Sequence, residues 1–305
     1  MIKKVTIIGS GGVGSGVAFH LLSLLPLKEI VLLDLSGDLA KGVALDLEDT
    51  RGFLNFSTKI TGSKDLSQLK DSDIVVITAG VARKDGMTRL DLLKINSKIA
   101  IDLSRQIKRF APFSVVITVT NPLDMITYFV SKETGFSRGR VLGMGSSLDT
   151  SRLMNIISKR LKISTSSLEG FVFGAHSKDM IVSSQRLKVN GQPLDNFEKK
   201  EVIEKIIESV QMRGAEIVKY LKTRSATFAP SLSCAHLIKA IALDSNEIIP
   251  VSALLDGEYG LKDVCVGVPC LINRKGIEKI IEIDLTDDEK EAILKVKQSF
   301  KECMI

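Results

Sequence analysis

An apolar, β-branched run, Lys4–Ile8, ends in Gly9-Ser10-Gly11-Gly12-Val13-Gly14 and passes at once into helical spacing over Val13–Leu25. Few features constrain a fold more. Between a buried strand and a helix, the first glycine allows a tight turn. The second lets phosphates approach the backbone, and the third lets helix and strand pack closely. The helix start offers unpaired N–H groups and a positive dipole end to an anion. Because 23 glycines are scattered through the chain, the pattern carries weight through this context. Asp34, 20 residues past Gly14, closes the next apolar run, Ile30–Leu33. A carboxylate there accepts both ribose hydroxyls of adenosine and repels a 2′-phosphate, which favours NAD over NADP.

The same alternation continues. Helical spacing over Leu39–Leu47, a weak strand at Lys59–Thr61 and a strong one at Ile74–Thr78 are followed by a helix over Asp91–Phe110. Then come a strand at Ser114–Val119, a helix at Leu123–Ser131 and a sixth strand at Arg140–Leu142. Continuous apolar strands alternating with helices predict a parallel sheet covered on both faces. Near Gly143–Gly145 the pattern changes. Helices are expected at Leu148–Leu161, Phe197–Leu221, Ser233–Leu243 and Thr286–Cys303, the last with Thr286 and Glu289 as a capping box. Strands are expected at Leu168–Ala175, Met180–Val189 (ending in an Asn190-Gly191 turn), Ile248–Leu254 and Val264–Leu271. Gly214 reads as a close-packing point inside its helix. The reading is therefore an α/β chain: a Rossmann-type doubly wound parallel sheet over 1–144, then a mixed α+β catalytic domain over 145–305, with a packed junction between them.

Composition narrows the function. At 305 residues, 44% hydrophobic and 26% charged, the chain is a globular protein able to bury a substantial core. No apolar run reaches membrane-spanning length and no signal-peptide pattern opens the chain, so no membrane partner is expected. Its +6 charge comes from interleaved Lys, Arg, Asp and Glu, which speaks against nucleic acid and for a small anionic substrate. Cys234, Cys265, Cys270 and Cys303 form no Cys-x-x-Cys pair, so no metal is expected, and free thiols in a reducing cytoplasm are.

Ligands of open parallel sheets sit beyond the carboxyl ends of the strands. There the sequence places Thr78-Ala79-Gly80, then a loop with Arg83 and Arg89, and Val119-Thr120-Asn121-Pro122. Arginine presents a planar fork that fits a carboxylate, although such a loop also reads as a solvated basic connection. Asp149 and Arg152 share an apolar helix face, where charges are costly unless paired or bound. A structural ion pair is the alternative there. His20 and His236 fall in helical segments and read as packing or surface residues. His176 instead follows Gly174 at a strand end, where a group titrating near neutrality is placed to accept a proton from an alcohol.

Taken in order, Gly9–Gly14, Asp34, Thr78-Ala79-Gly80, Arg83 to Arg89, Thr120-Asn121-Pro122-Leu123-Asp124, Leu148-Asp149-Thr150-Ser151-Arg152 and Gly174-Ala175-His176 resemble the lactate/malate dehydrogenase family, most closely its malate-specific members. The resemblance spans the chain and implies roles. His176 is the general acid/base and Asp149 orients it. Arg152 clamps the C1 carboxylate, Arg89 polarises the C2 oxygen, and Asn121 holds the substrate. An arginine at Arg83 goes with dicarboxylates, and a neutral residue goes with lactate-type substrates. The implied cofactor is NAD, contacted by Gly9, Gly11, Gly12, Val13, Gly14, Asp34, Thr78, Ala79, Gly80, Asn96, Val119 and Asn121. A homodimer or homotetramer is implied as well, and Gly42 and Ala44 in helix Leu39–Leu47 suggest a contact face. The alternatives are a lactate or broader 2-hydroxyacid dehydrogenase, and a catalytically weakened NAD-binding regulatory protein. Two departures stand out: Ser177-Lys178 replaces the family's Gly-Asp after the histidine, with Ser177 expected to crowd the pocket, and Asp85 stands where related loops carry proline.

Overall fold

The computed structural model describes residues 2–82, 87–222 and 224–302. Its first part is β1 (Lys4–Ile8), α1 (Gly12–Leu24), β2 (Glu29–Leu33), α2 (Gly37–Asp49), the single turn α3 (Arg51–Leu54), β3 (Lys59–Ser63) and β4 (Ile74–Ile77). There follow α4 (Arg89–Phe110), β5 (Val115–Thr118), α5 (Leu123–Thr134) and β6 (Val141–Gly143). These strands pair in parallel in the order β3-β2-β1-β4-β5-β6. The chain reverses direction across the sheet after β3, which opens a crevice at the carboxyl ends of β1 and β4. The apolar runs predicted from sequence are buried on both sheet faces, β4 and β5 along their whole length. Local chemistry sets the helix starts. Thr88 and Asp91 exchange side-chain and backbone hydrogen bonds as a capping box at α4, and the Ser36 hydroxyl accepts from Leu39 N at α2.

The remainder comprises α6 (Gly145–Leu161), β7 (Leu168–Glu169), β8 (Val172–Gly174), β9 (Met180–Val182), β10 (Lys188–Val189), β11 (Gln192–Pro193), α7 (Lys200–Leu221) and α8 (Phe228–Leu243). The last elements are β12 (Glu247–Asp256), β13 (Lys262–Asn273), β14 (Gly276–Ile280) and α9 (Asp287–Glu302). The sheet does not stop at β6. It runs on antiparallel through β12, β13, β8 and β9, giving 11 strands among the described residues once β14 is counted. The link is a single bridge, Gly143 to Ser252, and Gly143–Ser146 are buried.

Several elements differ from their expected form. Leu168–Ala175 is two strands, because Gly170 turns the backbone to a φ of +136° between them. Met180–Val189 is likewise broken: polar Ser183-Ser184-Gln185-Arg186 closes a short 3-10 turn through Arg186 N to Ser183 O and Leu187 N to Ser184 O. The Asn190-Gly191 turn does join two strands, β10 and β11. Edge strand β14 was missed because its charged Glu278 and Lys279 mask the pattern. Gly214 is not a tight packing point. A Cβ there would meet only the Arg152 guanidinium, at an ordinary 3.6 Å. The expected Thr286–Glu289 capping box is present at α9.

Candidate active site

The glycine turn owes its shape to what it lacks. Gly9 has a φ of +107°, and a Cβ there would lie 2.6 Å from Thr78 Oγ1 and 2.7 Å from Ala79 N. A Cβ on Gly14 would run into the Gly9 carbonyl, whereas one on Gly11 would meet nothing. Gly11 and Gly12 are exposed at the start of α1, and Gly11 has room for a phosphate against its backbone. Thr78 Oγ1 donates to the Ile8 and Gly9 carbonyls and so ties the ends of β1 and β4 together. The Asp34 carboxylate is aimed by two amides, Ser10 N at 2.8 Å and Ser36 N at 3.0 Å. The buried Ser10 hydroxyl has no hydrogen-bond partner among the described residues, a polar atom left over beside the turn. These features fit a dinucleotide whose pyrophosphate rests on the turn and whose ribose reaches Asp34.

Beyond β4 and β5 stands Asn96, expected among the cofactor contacts. It is buried, and its amide is spent on backbone: Oδ1 accepts from Val81 N at 2.8 Å, and Nδ2 donates to the Val81 and Asn121 carbonyls. It braces the two loops that flank the crevice. Thr120 Oγ1 adds a bond to the Ala79 carbonyl, Val119 is buried beneath, and Asn121 is exposed. Arg83 lies outside the described residues. Arg89 is the first residue of α4, and its side chain is not described.

The second cluster is made of charged side chains. His176 follows β8, and its Nδ1 lies 2.6 Å from Asp149 Oδ2 on α6. Asp149 is fully buried, and its other oxygen accepts from Arg152 Nη1 at 3.0 Å. A buried carboxylate thus joins the imidazole to the guanidinium, the ion pair expected from spacing with a histidine added to it. Arg152 Nε is buried without a partner among the described residues, which leaves donor capacity on a fork already held in place. Burial opposes charging His176, but the Asp149 carboxylate, by charge and hydrogen bond, and Asp124 outweigh it, so its pKa stands above the ordinary imidazole value. Gly145 makes room for the ring, since a Cβ there would lie 2.9 Å from His176 Cβ.

Ser177, expected to crowd the pocket, stands with His176 in a cavity wall. Its hydroxyl turns along its own loop, accepting from Asp179 N at 3.1 Å and donating to Asp179 Oδ2 at 3.3 Å. A cavity of about 700 Å³ opens on His176, Lys178 and Met180 and is closed by α7 and α9. Arg152 and Asn121 are not in its wall. His20 and His236 lie outside this cluster, the latter exposed near Glu247. Two contributors had no role assigned from sequence, Asp124 being only the last letter of a motif. Asp124 accepts the backbone N–H of His176, and Thr227, at the start of α8, stands against Gly12.

Residues 3–143 match the family model described as lactate/malate dehydrogenase, NAD binding domain, and residues 146–304 match the lactate/malate dehydrogenase alpha/beta C-terminal domain. A malate dehydrogenase of Geobacillus thermodenitrificans is 40% identical over 304 residues, 99% of this chain and 97% of the relative. Among solved structures, malate dehydrogenase of Cryptosporidium parvum superposes with a TM-score of 0.95 at 34% identity, over 99% of this chain and 98% of that one. The lactate dehydrogenase of the same organism, solved with lactic acid and nicotinamide adenine dinucleotide, gives 0.94 at 29% identity, over 99% and 97%. Backbone shape therefore does not separate the two substrate classes.

Proposed function

Since the chain belongs to the lactate/malate dehydrogenase family, we propose that it acts as an NAD-dependent malate dehydrogenase, moving a hydride reversibly between (S)-malate and NAD+ to give oxaloacetate, NADH and a proton. The observation that carries this reading is the buried Asp149 joining His176 to Arg152. The domain of 1–144 binds the dinucleotide, with Gly9, Gly11, Gly12, Val13 and Gly14 at the pyrophosphate and Asp34 at the ribose. Thr78, Ala79, Gly80, Val119 and Asn121 border the nicotinamide side, and Asn96 holds their loops. When bound, NAD supplies the ring that takes the hydride.

The chain of 145–305 supplies Asp149, Arg152 and His176, and the loops of 1–144 supply Arg83, Arg89 and Asn121. Arg152 grips the C1 carboxylate with the donors Asp149 leaves over. His176 Nε2 takes the C2 hydroxyl proton, and Asp149 holds the ring at Nδ1 and stabilises the resulting imidazolium. Arg89 polarises the C2 oxygen, and Asn121 hydrogen-bonds the substrate. Arg83 pairs with the second carboxylate. A methyl group in its place would leave that cation uncompensated, so lactate-type substrates are rejected.

Homodimers or homotetramers fit the exposed apolar side chains of α2 (Leu39, Leu45) and α8 (Phe228, Leu232). Gly42 is open to such a contact, but Ala44 faces the chain's own core and is not available to it. No described helix is long and apolar enough to cross a membrane. The free, buried Cys234, Cys265 and Cys270 accord with a cytoplasmic location.

The test is NADH absorbance with oxaloacetate, pyruvate and 2-ketoisocaproate, repeated with NADPH. We expect oxaloacetate to exceed pyruvate by about a thousandfold in kcat/KM, and Arg83→Gln to narrow the gap. Faster turnover of pyruvate would give the lactate-type reading, and NADH binding without turnover of any ketoacid would give a regulatory one.

A further inference from the structure

One carboxylate joins three elements where the parallel part of the sheet meets the antiparallel part. Asp124 stands in the first turn of α5, just past Asn121-Pro122. Its Oδ2 accepts the backbone N–H of His176 at 2.8 Å, and its Oδ1 accepts the Ser252 hydroxyl at 2.7 Å. Ser252 is the β12 residue that bridges to Gly143 of β6. The bridge is tight: a Cβ on Gly143 would lie 2.9 Å from Ser252 Cβ. Thus the turn that carries Asn121, the turn that carries His176 and the strand that closes the seam all meet at Asp124.

We propose that Asp124 is a positioning residue for proton transfer, gripping the main chain of His176 while Asp149 grips its ring, and so fixing the imidazole against the Asn121 turn. Asp149 alone sets only the direction of the ring. The distance from His176 to the cofactor side depends on how its turn is held to α5, and Asp124 makes that bond. Because both its oxygens accept hydrogen bonds, Asp124 sits here as a carboxylate, and its place at the start of α5 favours that form. Burial holds its pKa above the ordinary carboxylate value, the Ser252 and His176 hydrogen bonds offsetting part of that rise. As a carboxylate it adds a second negative charge near the imidazole.

Among the described residues, the other ionisable groups around His176 are Asp149 and Arg152 on α6, Lys178 and Asp179 on its own turn, and Lys295 across the cavity on α9. Burial first, and then the Asp124 charge, push the Cys265 thiol on β13 well above its usual range, so it stays neutral. Removal of Asp124 thus leaves Asp149 as the carboxylate that grips the ring.

This inference rests on His176 being the proton acceptor, and the experiment keeps the two apart by including His176→Asn. Asp124→Asn retains an acceptor for the His176 N–H and a partner for Ser252 but removes the charge. We expect the acid limb of kcat/KM for malate oxidation to move down by roughly half a pH unit. Asp124→Ala loses the grip and should lower kcat by roughly tenfold or more, with KM for malate and NADH affinity within threefold of wild type. Ser252→Ala keeps the charge and loosens the clamp, so it should lower kcat less and leave the pH profile in place. An unmoved profile in Asp124→Asn overturns the proposal even if Asp124→Ala does not fold. Equal losses of kcat, KM and NADH affinity in Asp124→Ala overturn it too, by reducing Asp124 to a structural residue. An active His176→Asn would instead overturn the proton-acceptor reading beneath it.

Discussion

The Gly9–Gly14 turn and the His176 corner lie at the same end of the sheet and are built from opposite materials. At the turn the work falls to backbone amides, and side chains are absent because a Cβ at Gly9 or Gly14 would strike neighbouring atoms. At the corner it falls to ionisable side chains drawn from different elements, two of them joined by a fully buried carboxylate. A polar backbone costs little to hold in place because the strand–turn–helix geometry already orients it. Buried charge is held by opposite charge and by hydrogen bonds, so each member of the corner depends on the rest. Damage to the turn should therefore appear in cofactor affinity and stability, and damage to the corner in the chemical step.

The largest effect belongs to the corner. His176→Asn should reduce kcat for malate oxidation by roughly a thousandfold, with NADH affinity by fluorescence titration within twofold. Should NADH affinity fall in parallel, the two regions are not separable as described. Next is Arg152→Lys, which keeps the charge beside Asp149 but not the planar fork. A loss of about a hundredfold in kcat/KM for oxaloacetate is expected, seen mainly as a raised KM, with thermal stability near wild type. At the turn, Gly11→Ala should weaken NADH binding by about tenfold without lowering the melting temperature of the apo protein, since the added Cβ meets only open space. Gly14→Ala meets the Gly9 carbonyl and should lower the melting temperature as well, by several degrees in calorimetry. The smallest effect is on stability. With its pKa raised in the fold, His176 contributes stability that is full below the unfolded imidazole value and lost as pH rises through the folded one. The melting-temperature advantage of wild type over His176→Asn should therefore be full in acid and shrink as pH rises past the ordinary imidazole value.

The two regions also differ in how far the sequence discloses them. The turn is a local code: strand, glycines, helix and Asp34 follow one another, and each needs only its neighbours. The parallel strands were readable for the same reason, their apolar runs being continuous. The corner is dispersed, with His176 and Asp149 separated by 27 positions. Only the spacing of Asp149 and Arg152 on one helix and the family likeness drew it together. Asp124 was legible merely as a motif letter, because its partners His176 and Ser252 lie 52 and 128 positions away. Asn96 shows the converse: a residue expected at the cofactor turns its amide onto Val81 and Asn121, since two loop carbonyls and an amide there need partners. Ser183–Arg186 escaped notice because a short 3-10 turn leaves no periodic trace.

The central claim is that an imidazole held by buried Asp149 exchanges the hydroxyl proton. It is tested most directly by the pH dependence of kcat/KM in both directions. Malate oxidation needs neutral His176 and should rise through a midpoint above about 6.5, while oxaloacetate reduction needs it protonated and should fall through the same region. Asp149→Asn should bring both midpoints down together. Midpoints at or below the free imidazole value, or profiles that run in the same direction for both reactions, would contradict the account.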